Sequence, residues 1–408
     1  MNNRGVFLWA VVLAARPVVA ALELGAPFAD GAVLQRDRDV PVWGWAEAGR
    51  EVVVSFAGEK VSALAGPDGG WQVKLPPMAA SKEGRTLTVV EREPGFFGTQ
   101  TDEVVVSDVL VGEVWMCSGQ SNCAVAIWDS SPRHRDGWGA MMMDTTDRPW
   151  VRLVKARPQA ATHPLRTGRT NWLAMTPKTL NRRLGCALPS AMGWYYALEL
   201  ANALDIPIGI VDCSDGGLSI DTWTPPSGYA GMDELADVAA LPVLDEAGFA
   251  AARKDGAYAT RNLRGDPTLF DGGWKRQPSA HWNGTVAAFA PMAVRGLIWY
   301  QGCANVREPE RYAAKMHALY NGWKREFRNP DLEMYFVQLA PWRYENIAAM
   351  QMAQARFAAE EPHAAMTVIN DVGNLDDIHP NDKRTVAKRL SLHALKRVYG
   401  WDWVEDES

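Results

Sequence analysis

The sequence has 408 residues, 47% of them apolar and 22% charged, with a formal net charge of −6 from 42 basic and 48 acidic side chains. That length exceeds one typical domain, and the balance of apolar and charged residues excludes disorder, collagen and coiled coil. No long basic run marks a nucleic-acid surface, so nucleic acid is not an expected partner.

The first twenty residues read as a secretory signal peptide. Arg4 supplies the positive start, Val6 to Ala15 the short apolar run, and Val18-Val19-Ala20 the small residues of a cleavage site. The run is too short to span a bilayer, and no later stretch is long and apolar enough to do so. Cleavage would remove Arg4 and Arg16 and leave a more acidic, secreted or periplasmic chain with no membrane contact.

From 21 to 107 the apolar period is two, with short strands expected at 40–45, 51–56, 71–75, 86–90 and 103–106 between Gly, Pro and Asp turns. This pattern predicts an N-terminal β-sandwich domain. From 108 to 400 the pattern becomes strand–helix alternation. Buried strands are expected at 109–117, 206–213, 294–300, 333–339 and 365–370, and helices at 189–204, 309–327, 346–359 and 381–399. Such alternation predicts an α/β fold with a doubly wound parallel sheet, whose ligands bind beyond the carboxyl ends of the strands. Residues 225–280 are polar and weakly periodic and read as an insertion or long loop. Residues 401–408 read as a tail. The 18 tryptophans are expected mostly in cores, with some left to stack on flat ligands.

Four polar segments follow the expected strands: Ser118-Gly-Gln-Ser-Asn122, Ser214-Asp-Gly-Gly217, Gln301-Gly-Cys-Ala-Asn305 and 371–380, which ends Asp376-Asp377-Ile378-His379-Pro380. Strand ends on one edge of a parallel sheet converge. Together the segments supply a hydroxyl, glycine amides, an Asn side chain and a carboxylate near an imidazole. Those are the parts of a serine hydrolase. The imidazole takes the proton of the hydroxyl, the carboxylate fixes its tautomer, and N–H donors bind the oxyanion. There is no GxSxG, GxGxxG, GxxxxGK[ST], CxxC or HExxH string, so an α/β-hydrolase elbow, a nucleotide cofactor and a metal centre have no support; no cofactor is expected. The five cysteines are Cys117, Cys123, Cys186, Cys213 and Cys303. Being odd in number, they leave at least one thiol unpaired. Cys123 and Cys303 follow strands at one sheet edge and form a candidate pair.

Gly112-Glu-Val-Trp-Met-Cys-Ser-Gly-Gln-Ser-Asn122 resembles the nucleophile block of the sialate O-acetylesterases, a branch of the SGNH hydrolases. The resemblance runs over nearly the whole chain. It continues through Pro41-Val-Trp-Gly-Trp-Ala46, Gly209-Ile-Val-Asp-Cys-Ser-Asp-Gly-Gly217, Gly296-Leu-Ile-Trp-Tyr-Gln-Gly302 with Asn305, and Asp377-Ile-His-Pro-Asn-Asp-Lys383. It implies Ser121 as nucleophile, with Ser118 the competitor, and His379 as base. It implies Gly217, Asn305 and the Ser121 amide as oxyanion hole, and Gln120, Asn122, Gln301, Trp299 and Asn283 as substrate-binding residues. For the acid, DxxH spacing selects Asp376 and the Asp-Ile-His-Pro string selects Asp377, which is favoured. The implied activity is release of acetate from an acetylated sugar, sialic acid or a plant polysaccharide such as xylan. The alternatives are a weakened carbohydrate-binding protein on the same scaffold and a hydrolase of simple or lipid esters. Departures from the family pattern are Cys123 for Met, Cys303-Ala304 for Glu-Ser, and Ser214-Asp215 for Ser-Trp. The family also commonly continues beyond the last helix, so a natural short form or a truncated gene is expected.

Overall fold

The computed structural model describes residues 21–95, 99–126, 148–166, 170–176, 179, 190–254 and 276–402. The expected signal peptide, Cys186 and residues 403–408 lie outside them. Among the described residues no helix is long and apolar enough to cross a membrane.

The amino-terminal strands are β1 (Glu23–Leu24), β2 (Val33–Gln35), β3 (Val40–Trp45), β4 (Glu51–Phe56), β5 (Glu59–Leu64), β6 (Gly70–Leu75) and β7 (Ser81–Arg92). One antiparallel sheet has the order β1-β3-β6, while β5, β4 and β7 pair antiparallel in a second. Alternation along these strands sends Val42, Trp71, Val73, Leu75, Val52, Val54, Leu87 and Val89 into a common core.

β8 (Gln100–Gly119) joins this region to the rest. Its first part pairs antiparallel with β7. Its last part, from Glu113, runs parallel between β11 (Ile208–Asp212) and β12 (Gly296–Tyr300). The boundary expected at 107 therefore falls inside one continuous strand. With β9 (Arg148–Lys155), β10 (Leu173–Met175), β13 (Glu333–Val337) and β14 (Ala364–Thr367), the order is β10-β9-β11-β8-β12-β13-β14, parallel except for β10. β11 and β12 are buried at every position, as a sheet covered on both faces requires.

Helices follow the strands: α1 (Ser121–Ala124), α2 (Ala191–Leu204), α3 (Ala236–Ala239), α4 (Glu246–Lys254), α5 (Pro309–Glu326), α6 (Ile347–Glu360) and α7 (Lys383–Arg397). α2 begins where Ser190 accepts from the Gly193 amide, and α7 where Asp382 accepts from Thr385. Trp115, Trp194, Trp223, Trp299 and Trp323 are wholly buried. Over its described residues the expected insertion carries short helical segments. Short turns over Pro226–Tyr229 and Asp233–Leu235, with α3, bury Tyr229, Leu235 and Val238 against Ala314 and Ala318 of α5. Residues 255–275 lie outside the described set.

Candidate active site

Because the central strands are parallel, the polar segments after β8, β11, β12 and β14 emerge at one edge. The chain leaves β8 at Gly119, whose φ is +134° and where a Cβ would stand 2.3 Å from the Tyr300 carbonyl oxygen. Only glycine fits this close approach. Two residues later Ser121 opens α1, half-buried.

His379 Nε2 lies 2.9 Å from Ser121 Oγ. Ser118 is fully buried, and its hydroxyl donates to the Cys213 carbonyl at 3.4 Å. Ser121 is thus the hydroxyl bonded to the imidazole. Of the two candidate acids, Asp377 faces the ring: its Oδ1 is 3.7 Å from His379 Nδ1 and accepts the His379 backbone N–H at 3.0 Å. Asp376 is exposed and pairs with Arg343 Nε at 3.1 Å. The resulting order is hydroxyl, imidazole, carboxylate.

Gly217 is exposed, with φ +71°, on the turn after β11, and a Cβ on the adjoining Gly216 would stand 3.9 Å from Ser121 Cβ. A side chain on Gly217 would meet Arg276 Nη2 at 3.3 Å, which brings a guanidinium beside this turn. Asn305 is wholly buried. Its Oδ1 accepts from the Ile220 amide at 3.0 Å and from Gln301 Nε2 at 2.7 Å, and its Nδ2 donates to Glu308 Oε1 at 2.6 Å. That nitrogen carries a second N–H. Glu308 also accepts from Lys315 Nζ at 2.7 Å, and Lys315 donates to Asp221 at 2.9 Å. Burial and the Asp221 charge push the Glu308 carboxyl above its ordinary value, against the pull of Lys315 and Asn305.

The other expected substrate residues are engaged within the protein. Gln120 accepts from the Gly302 and Ala304 amides at 3.3 and 3.1 Å, tying the nucleophile turn to the third segment. Gln301 donates to the Leu218 carbonyl and accepts from Tyr312 Oη at 2.7 Å. Trp299 packs edge-on against Trp223 with ring centroids 5.4 Å apart. Asn283 is buried and donates to the Ala161 carbonyl at 3.3 Å. Asn122 donates to the Ile378 carbonyl at 2.9 Å and accepts from Lys383 Nζ at 2.6 Å.

Cys117, Cys123, Cys213 and Cys303 are all free thiols. The candidate pair Cys123–Cys303 is not formed, and Cys123 Sγ instead lies 3.4 Å from Cys117 Sγ. Lys383 stands in a quoted motif but was given no role there, and Asp221, Glu308 and Lys315 were passed over. Glu308, three residues after Asn305, was the available signal, since the intervening turn brings residues at that spacing together.

A family description of carbohydrate esterases, sialic acid-specific acetylesterase, matches residues 272–394, which include Asn305 and His379. Curated relatives extend the likeness over most of the chain. The sialate O-acetylesterase of Rattus norvegicus is 27% identical, over 90% of this chain and 72% of its own length. That of Homo sapiens is 26% identical, over 90% and 69%. The chain is a relative of the sialate O-acetylesterases. A solved carbohydrate acetylesterase from Xanthomonas citri superimposes with a TM-score of 0.73 at 28% identity, covering 93% of this chain and 76% of that one. The shared mixed α/β architecture thus accompanies the sequence likeness to the sialate O-acetylesterases.

Proposed function

We propose that the protein is an exported carbohydrate O-acetylesterase that cleaves acetyl esters of sugars through an acyl-enzyme on Ser121. The observation that carries this reading is the 2.9 Å contact between Ser121 Oγ and His379 Nε2 at the carboxyl edge of the parallel sheet. His379 takes the hydroxyl proton as Oγ attacks the acetyl carbonyl. Asp377 holds the ring and stabilises its cationic form. The Ser121 and Gly217 amides, with the second N–H of Asn305 Nδ2, receive the oxyanion. His379 then gives its proton to the departing sugar oxygen, and water, activated by the same imidazole, releases acetate. This chemistry needs no cofactor.

In this reading the chain comprises a β-sandwich at 21–107 and an SGNH-type domain at 108–400, with β8 shared between them. Acetylated sialic acid and acetylated xylan are both candidate substrates. The intact Ser121–His379 contact weighs against a purely binding protein. The test is acetate release by residues 21–408 from acetylated sialic acid, acetylated xylan and para-nitrophenyl acetate. Turnover that vanishes in Ser121→Ala supports the esterase; a folded wild type that releases no acetate refutes it.

A further inference from the structure

Lys383, the first residue of α7, is 3% exposed. Its Nζ donates to Asn122 Oδ1 at 2.6 Å and lies 5.4 Å from the centroid of the Tyr300 ring. Among the described residues no carboxylate forms an ion pair with it. Asn122 follows Ser121, and its Nδ2 donates to the carbonyl of Ile378, the residue before His379. An ammonium can only donate and a carbonyl can only accept. Lys383 and Ile378 therefore force one orientation on the Asn122 amide, and that amide spans the gap between the nucleophile turn and the base loop. We infer that Lys383 is a positioning residue, which acts through Asn122 to hold His379 in register with Ser121.

The inference rests on the proposed roles of Ser121 and His379, and it has a consequence for pH dependence. The groups facing Lys383 are Cys123 of α1, Cys303 on the turn after β12, Asp377 of the base loop, Asp382 at the start of α7, and Tyr300 of β12. Burial lowers the ammonium to about 7, against the opposing pull of Asp377 and Asp382. Position 303 is within electrostatic reach, because the Lys383 charge acts on the Cys303 thiol. The family pattern carries Glu there. In this chain a thiol leaves the ammonium without that countercharge, so the charged hydrogen bond to Asn122 weakens as pH rises through neutrality. His379 must lose its proton for catalysis while Lys383 must keep its own, which gives kcat/KM an alkaline limb close to neutral pH.

The experiment measures acetate release from an acetylated sugar across pH for wild type, Lys383→Met, Cys303→Glu and Ser121→Ala. Lys383→Met should lower kcat at least about tenfold with little change in KM, because misalignment costs rate more than binding. It should also abolish the alkaline limb. Cys303→Glu should move that limb upward by about one pH unit or more, since a carboxylate beside the ammonium favours its charged form. An alkaline limb unmoved by Cys303→Glu, or a kcat within about twofold of wild type in Lys383→Met, overturns the inference. If Lys383→Met does not fold, the Cys303→Glu profile decides alone. Turnover that survives Ser121→Ala defeats the esterase reading itself. A dead Ser121→Ala beside unaffected Lys383 and Cys303 variants defeats only the role of Lys383.

Discussion

His379 Nε2 stands 2.9 Å from Ser121 Oγ across 258 residues of sequence. The ring's other nitrogen faces Asp377 Oδ1 at 3.7 Å, while Asp376 turns outward to Arg343. Replacing Asp377 by Asn removes the charge beside the imidazole. Asp377→Asn should therefore lower kcat by about tenfold to a hundredfold, whereas Asp376→Asn should stay within about twofold. Steady-state acetate release for the two variants checks the order, and the reverse order would reassign the acid.

The Asn305 amide is held by Ile220, Gln301 and Glu308. Loss of one oxyanion donor costs about 100- to 1000-fold in kcat, so Asn305→Ala should fall in that range. Glu308→Gln keeps the shape but loses the charged acceptor and leaves Lys315 with Asp221 alone. Its kcat should drop less than that of Asn305→Ala, while its melting temperature should drop more. Paired kinetics and thermal unfolding separate the two effects.

Glu113 on β8 is fully buried between Arg295, which grips it at 2.9 and 3.0 Å, and Arg36 at 2.6 Å. Burial works to raise its carboxyl, but the hydrogen bonds and charge of Arg295, with Arg36 and Gln35, hold it below 4.5. A depressed carboxyl contributes stability above its unfolded value and loses it as pH falls through the folded one. Urea midpoints should therefore decline as pH drops below about 4.5, with a shallower decline in Glu113→Gln. At neutral pH that variant should lose about 3–5 kcal/mol, because two arginines are left without their carboxylate.

His281 acts in the same sense but over a higher pH window. It is buried, with Nε2 3.1 Å from the Cys213 carbonyl, and burial lowers it from 6.5 to about 4. Between those values the unfolded chain binds a proton that the folded chain refuses, so stability falls as pH drops from 6.5 toward 4. His281→Gln should flatten the stability curve in that window, a change that chemical denaturation at several pH values can detect.

The α/β half was legible because its strands are unbroken apolar runs and its helices carry clear ends. Helices expected at 309–327 and 346–359 occupy Pro309–Glu326 and Ile347–Glu360. That Ser121, His379 and Asp377 come together was legible because each lies in a polar segment that follows a buried strand. Two kinds of information were not. Local alternation reveals strands but not that β8 serves two sheets, since pairing partners are set by distant residues. The internal partners of Gln120, Asn122 and Gln301 were the other: they lie far off in sequence, as Lys383 does, 261 residues from Asn122.

In the proposed mechanism Ser121 carries the acetyl group. The most direct test is mass spectrometry of the intact protein, quenched during turnover of para-nitrophenyl acetate, for wild type and Ser121→Ala. One added acetyl group is expected on the wild-type peptide containing Ser121, none on the variant, and loss of acetate release in the variant. Acetate release that persists in Ser121→Ala, or an acetyl group on another residue in both proteins, would contradict it.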